Sequence, residues 1–357
     1  MAEERRTSSR PPRAVEVRAP ARLHLGMLSF GDPEVRSFGG VGVMVDRPGV
    51  HVRLRRAEAF LGRGPLAERA VGFAREAAKT WGLPEKAACE IEVVATPRAH
   101  VGLGSGTQLA LAVAAGMQGL YRGSHTLPIV AEQGQPIDDE HSFESADALD
   151  FARAVGRGRR SCVGIHGFSR GGLIVEAGRF VPPRVPTEDG EFSPLVARVR
   201  LPSTWRCVVI VQRDSIGLHG EPEKQAFQEL APVPREVAAE LARIALMEIL
   251  PAAVEGRFAA FSQAVRRYGD LAGQPFAPVS ERLPHAASTA QLLELLDELG
   301  IRGAAQSSWG PAVMACCESL EAAGHVVERF DALKLLPQYE PVIARFDAQG
   351  ATLRVVE

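Results

Sequence analysis

Gly102, Gly104 and Gly106 alternate with Leu103 and Ser105, and Thr107 follows, in the stretch HVGLGSGTQLALAVA. Glycine at alternate positions lets a backbone adopt positive φ and approach a ligand with no Cβ in the way. Ahead of it, Ile91 and Val93 in a β-branched run predict a strand that Pro97 stops. Behind it, Leu109, Val113, Met117 and Tyr121, four residues apart, predict one apolar face of a helix beginning near Thr107. A glycine loop opening a helix turns backbone N–H groups outward at the positive end of the helix dipole, which makes an anion site, most naturally for phosphate. The alternative is a ligand-free tight turn, and the flanking strand and helix favour phosphate. No Gly-Lys-Ser/Thr follows, so this is not a Walker A loop, and the spacing is not that of a dinucleotide fingerprint.

A second constellation is cationic. Arg157, Arg159, Arg160 and Arg170 stand among six glycines in GRGRRSCVGIHGFSRGG. Such a density of cations beside permissive backbone suits a charged substrate, the alternative being a solvated basic loop. Arg22 and His24 share one face of an alternating strand, and His100 abuts the glycine loop. Each histidine is either a structural hydrogen-bonder or a proton carrier. The phrase Gln306-Ser307-Ser308-Trp309-Gly310-Pro311 carries one large aromatic beside polar groups, read either as core or as the wall of an aromatic-ligand pocket. Glu221 and Glu223, in GLHGEPEKQAF, are solvated acids or metal ligands.

These groups need a scaffold of two domains, which 357 residues allow. Hydrophobic residues at 46% and charged ones at 24% are those of a globular protein with a real core. A net charge of −2 argues against a nucleic-acid partner. Only four of the 41 basic residues are lysines, and arginine's planar fork suits phosphates and carboxylates. Five cysteines without a C-x-x-C pair read as buried thiols in a reducing compartment. With no apolar run of membrane length and no signal-peptide core, a cytoplasmic protein with a disordered tail over 1–14 is expected.

The opening third, from Val15 to Leu54, alternates apolar and polar residues as antiparallel sheet, with a break near Pro20. Helices are predicted over 65–81 and 146–155, and 122–144 resists assignment. Proline and charge over 181–203 mark the boundary between a first domain, 15–200, and a second, 201–357. The second opens on the buried strand Cys207–Val211, continues through amphipathic helices over 234–269 and a helix ending at Gly300, and finishes with AVMACC, a helix over 318–334 and a hairpin turned at Asp347–Gly350. The class is therefore α+β.

The phrases ARLHLGML, FGGVGVMV, HVGLGSGTQLALAVA, GRGRRSCVGIHGF, GLHGEPE and AAQSSWGPAVMA resemble the GHMP kinase superfamily and, within it, the β-ribofuranosylaminobenzene 5′-phosphate synthases. The match spans residues 21–315, with GLGSGTQ and QSSWGP together its most specific part. The resemblance implies a ribosomal protein S5 domain 2-like N-terminal domain and a ferredoxin-like C-terminal one. It implies condensation of 5-phosphoribosyl 1-diphosphate with 4-aminobenzoate, releasing CO2 and diphosphate, in methanopterin biosynthesis.

Two departures from the kinase pattern, Gly106 in place of the usual loop serine and QSSWGP in place of the glycine-rich third motif, disfavour ATP-dependent phosphotransfer. On this reading Gly102 to Thr107 and a bound Mg2+ meet the diphosphate, with Ser105 and Glu221 as candidate metal ligands. Arg22, His24 and His100 are the catalytic candidates. Arg157, Arg159 and Arg160 would hold anionic groups, and Gln306, Ser307, Ser308 and Trp309 would line the aminobenzoate pocket. The para amino group supplies the electron push, and the motif segments carry no lysine, so pyridoxal phosphate is not expected. Small-molecule substrates are the partners, and a homodimer is admitted. An ATP-dependent kinase and a non-catalytic phospho-ligand binder are the competing readings.

Overall fold

The computed structural model describes residues 12–122, 145–180 and 192–356. The expected tail, the unassigned stretch 123–144 and part of the expected boundary, 181–191, lie outside the described residues. The strands are β1 (Ala14–Met27), β2 (Gly40–Ala57), β3 (Leu61–Arg63), β4 (Ala88–Ala95), β5 (Leu173–Glu176), β6 (Leu195–Val199), β7 (Arg206–Gln212), β8 (Ala304–Gln306), β9 (Ala312–Cys317), β10 (Tyr339–Arg345) and β11 (Thr352–Val356). They form two sheets.

The first sheet runs β11-β1-β2-β4-β3, with β5 also paired to β2 and β6 to β5; every pairing but β3–β4 is antiparallel. The break expected at Pro20 is a shift of register between Ala19 and Ala21 against β2. On one side of that shift Val15, Val17 and Ala19 enter the core of the first unit. On the other, Ala21, Leu23 and Leu25 enter a second core, shared with β7 and the helix Phe258–Gly273. The alternation of β1 leaves Arg22 and His24 on the opposite side from Leu23.

Against this sheet packs the helix Ser105–Tyr121, and it departs from expectation. Besides the face of Leu109, Val113 and Met117, its Ala110, Leu111, Ala112, Ala114 and Ala115 are all fully buried. A helix apolar all round is one enclosed on every side, here by β1, β2 and the helices Ala67–Thr80, Ser145–Ala154 and Val163–Arg170. The last of these lies where the sequence suggested permissive backbone, and GLHGEPEKQAF likewise forms a helix, Gly220–Glu229.

The second sheet is antiparallel in the order β10-β7-β9-β8. With helices between β7 and β8 and the helix Leu320–Ala332 between β9 and β10, it follows the split β-α-β of ferredoxin-like units. The expected closing hairpin is not formed. β10 pairs with β7, whereas β11 crosses back to pair with β1 in the first sheet. Asp347 does make the turn, its carboxylate accepting from the N–H groups of Gln349 and Gly350, but the strands it joins belong to different sheets. All five cysteines are buried and free. Among the described residues no helix is long and apolar enough to cross a membrane.

The return of β11 is locked by charge. Glu16 on β1, with 1% of its side chain exposed, meets Arg354 of β11 at 2.9 Å, Arg53 of β2 at 3.1 Å and Arg18 at 2.9 Å. Burial alone would raise its carboxyl, but the three guanidinium hydrogen bonds outweigh that and bring it to about 2. A carboxyl depressed on folding stabilises fully above its unfolded value, 4.5, and loses that contribution as pH falls toward 2. Urea midpoints are therefore expected to drop across this window, and Glu16→Gln to flatten the drop.

Candidate active site

The loop after β4 places three residues at positive φ within five: His100 at 62°, Gly102 at 95° and Gly104 at 66°. They turn the chain sharply enough that the helix opens at Ser105, two residues before the expected start, with Gly104 as its N-cap. Glycine has no capping side chain, and no acid stands in the first turn, so the positive end of the helix is left for a ligand. Arg69 closes over it, since a methyl group on Gly106 would lie 3.0 Å from the Arg69 Nη2.

The QSSWGP phrase is bolted to this loop. Ser307 Oγ accepts from the His24 N–H at 2.9 Å and donates to the Gly102 carbonyl at 2.7 Å. The Ser308 N–H donates to the His24 carbonyl at 3.0 Å, and the Arg22 N–H to the Leu103 carbonyl at 3.1 Å. Strand β1, the glycine loop and the C-terminal unit thus meet at one point. Beside it opens a cavity of about 410 Å3.

Of the residues expected to act, Arg22, His24, Thr107, Arg157, Arg159, Arg160, Gln306, Ser308 and Trp309 line this cavity. The others lie elsewhere. Ser307 is 1% exposed and spends its hydroxyl on the junction just described. Gly102, Gly104 and Gly106 shape the loop behind Thr107. The Ser105 hydroxyl donates to the Arg98 carbonyl at 3.3 Å. His100 stacks on His219, ring centroids 3.7 Å apart, and burial, His219 and Arg69 hold its pKa below the usual value. Glu221 pairs with Lys224 at 2.8 Å on the exposed side of its helix. Its neighbour Glu223 is the one acid among the described residues that lines the cavity.

The cavity has two chemically distinct ends. At the loop end, burial lowers the Arg22 guanidinium to about 10, opposed by the pull of Glu176 and Glu223, so it stays charged at neutral pH. Burial, aided by Arg22, holds His24 well below its usual value and keeps it neutral, and its Nε2 is buried with no hydrogen-bond partner. Arg157 lies 4.8 Å over the Phe73 ring with its Nε also unpartnered. At the other end, Trp309 packs on Phe227 at 4.7 Å and on Phe276 at 5.7 Å. Arg160 sits 4.4 Å over Phe227 and 2.5 Å from the Glu223 carboxylate.

Four contributors were not singled out in the sequence: Arg69, Glu176, Phe227 and Phe276. Glu176 is fully buried behind the wall, accepting from the Ser161 hydroxyl and the Cys162 N–H, both at 2.7 Å. Burial raises its carboxyl to about 7. It occupies the N-terminus of the helix Val163–Arg170, leaving that of Ser105–Tyr121 as the open one. Glu223 and Phe227, one helical turn apart, carried the one usable signal, a shared helix face. Among the described residues no group of three or more His, Cys, Asp or Glu side chains is arranged to hold a metal ion.

Comparison with known proteins adds to this geometry. No family model matches the chain. The beta-ribofuranosylphenol 5′-phosphate synthase of Archaeoglobus fulgidus is 31% identical over 310 residues, 85% of this chain and 88% of that protein. The protein of the same name from Methanothermobacter thermautotrophicus is 29% identical over 329 residues, 87% of this chain and 92% of that one. Among solved structures, mevalonate pyrophosphate decarboxylase from Streptococcus pyogenes aligns with a TM-score of 0.65 at 11% identity, over 96% of this chain and 99% of that one. Homoserine kinase from Cytophaga hutchinsonii aligns at 0.60 and 15% identity, over 97% and 98%. These last two likenesses establish the fold, that of the GHMP kinases, and nothing further.

Proposed function

The chain belongs to the beta-ribofuranosylphenol 5′-phosphate synthase family of enzymes, and from that premise we propose that it joins 5-phosphoribosyl 1-diphosphate to a para-substituted benzoate, releasing diphosphate and CO2. The observation that carries this reading is the two-ended cavity: Thr107 of the uncapped helix's first turn with Arg22 and Arg157 at one end, and an aromatic wall of Trp309, Phe227 and Phe276 at the other. Departure of diphosphate from the ribose C1 puts negative charge on the leaving group, and preorganised donors at the loop end stabilise that charge as it develops. The aromatic end seats the acceptor ring.

4-Aminobenzoate and 4-hydroxybenzoate differ only in the para group, and the relatives' name carries a phenol. Either group pushes electrons into the ring carbon bearing the carboxylate, so that carbon attacks the sugar. Thr107, Gln306 and Ser308 are uncharged hydrogen-bonding groups of the lining available to either substrate, beside the neutral imidazole of His24. The donor set does not fit a protein-held Mg2+, because Glu223 is already paired with Arg160, Glu221 with Lys224 and Ser105 with the Arg98 carbonyl, and the last two do not line the cavity. A participating Mg2+ enters with the diphosphate oxygens that bind it, as that ion commonly does.

The test reads the bond made. Protein incubated with Mg2+, 5-phosphoribosyl 1-diphosphate and a carboxyl-labelled acceptor, amino or hydroxy, is expected to release labelled CO2 and diphosphate in equal amounts, without ATP. Diphosphate without CO2 would show hydrolysis or attachment through the para group. Consumption of ATP with the carboxylate retained would show a kinase.

A further inference from the structure

The two ends of the cavity carry charge differently. At the loop end Arg22 and Arg157 line the wall, and the nearest buried acid, Glu176, lies behind it. At the aromatic end stands one cation, Arg160, already engaged twice: over the face of Phe227 at 4.4 Å and with the Glu223 carboxylate at 2.5 Å. Glu223 and Phe227 are one turn apart on the helix Gly220–Glu229, so ring and carboxylate form a single seat for the guanidinium.

We propose that Glu223 is a positioning residue that keeps Arg160 partly neutralised, so that the acceptor's carboxylate is oriented by Arg160 without being held by it. The proposal rests on the reading of the cavity given above and specifies how its aromatic end serves the reaction. The ring carbon bearing the carboxylate forms a bond to the ribose C1 while the C1–oxygen bond breaks, its electron pair leaving on diphosphate. The bond from that ring carbon to the carboxylate then breaks, its pair returns to the ring, and neutral CO2 departs. The carboxylate's charge vanishes in this step. A cation bound to it stabilises the starting state more than the transition state and slows the reaction. A bare guanidinium makes strong charge-assisted bonds to a carboxylate. One shared with Glu223 makes weaker ones.

The test compares wild type, Glu223→Gln and Arg160→Met, each shown to be folded by circular dichroism. Binding of 4-hydroxybenzoate without donor is measured by calorimetry, and kcat and both KM values by CO2 release. Glu223→Gln is expected to tighten 4-hydroxybenzoate and lower its KM by about five-fold, the scale of one partly exposed ion pair, while kcat falls. Arg160→Met is expected to weaken 4-hydroxybenzoate by a similar factor. The donor KM should hold in both variants. Wild type that releases CO2 alongside a Glu223→Gln protein of unchanged acceptor affinity overturns the inference and leaves the function standing. A change confined to the donor KM also overturns it, by assigning the effect of Glu223 to Arg22. Should Glu223→Gln not fold, unchanged acceptor affinity in Arg160→Met overturns it alone. Wild type that releases no CO2 overturns the function and the inference together.

Discussion

An Arg22→Met protein is expected to fold and to lose about 100- to 1,000-fold in kcat/KM for the phosphoribosyl donor, the range seen when one preorganised donor to a developing anion is removed. The backbone of Arg22 is fixed from two sides, by pairing with Met44 in β2 and by its N–H on the Leu103 carbonyl. Its side chain is thereby aimed at the cavity beside the open helix terminus. Methionine keeps the length and apolar stem but removes the charge. The fold tolerates this because Glu176, the buried acid that loses its nearby cation, has a carboxyl raised to about 7 and takes up a proton rather than remaining a bare buried charge. Steady-state kinetics separate the outcomes: a fall in kcat/KM with normal melting supports the role, and unchanged kinetics removes Arg22 from the mechanism.

Gly310→Ala is expected to cost about 3 kcal/mol or more of folding stability, at the upper end of the overpacking range. A Cβ there would lie 2.3 Å from the Gly102 nitrogen and from both the carbonyl carbon and oxygen of Val101. These are backbone atoms in a loop already fixed by Ser307 and Arg22, so no side chain can swing aside. Gly217 enters the same junction, since a Cβ on it would meet the His100 and Trp309 carbonyl oxygens at 2.7 Å. The glycine loop, GLHG and WGP thus contact one another backbone to backbone. A urea midpoint that falls at constant m-value is the expected result, and a midpoint within about 0.5 kcal/mol of wild type, the surface-mutation range, would show that the junction yields.

That junction explains what the sequence made legible. GLGSG and QSSWGP carry unusual residue spacings because backbones meet there, and such spacing survives in a one-dimensional reading. The arginines of GRGRRS were legible through density, and Arg22 and His24 through strand alternation. Phe276, Glu176 and Arg69 were not, because each becomes part of the site only when tertiary packing delivers it, and Phe227 offered no more than a helix face shared with Glu223. His100 does not line the cavity. It is two residues from Gly102, yet with its backbone at φ 62° the ring stacks on His219. Adjacency along a loop says little about direction once the backbone enters the left-handed region. The helix Ser105–Tyr121 was recognised by one apolar stripe, but its complete enclosure depended on three other helices whose contacts no local pattern encodes.

The return of β11 to β1 has a bearing on the order in which the molecule is made. Glu16 and Arg354 are 338 residues apart, so β1 emerges from the ribosome early, while its outer neighbour arrives only after both sheets have been translated. Until then β1 pairs with β2 alone, its far edge open and its carboxylate short of one guanidinium partner. An open strand edge is a template for pairing with another chain, and non-local pairings of this span form late. The window for misassembly is thus set by translation of the entire second unit. A substitution or appended segment at β11 acts on the N-terminal sheet, far in sequence from the residues whose pairing it disturbs.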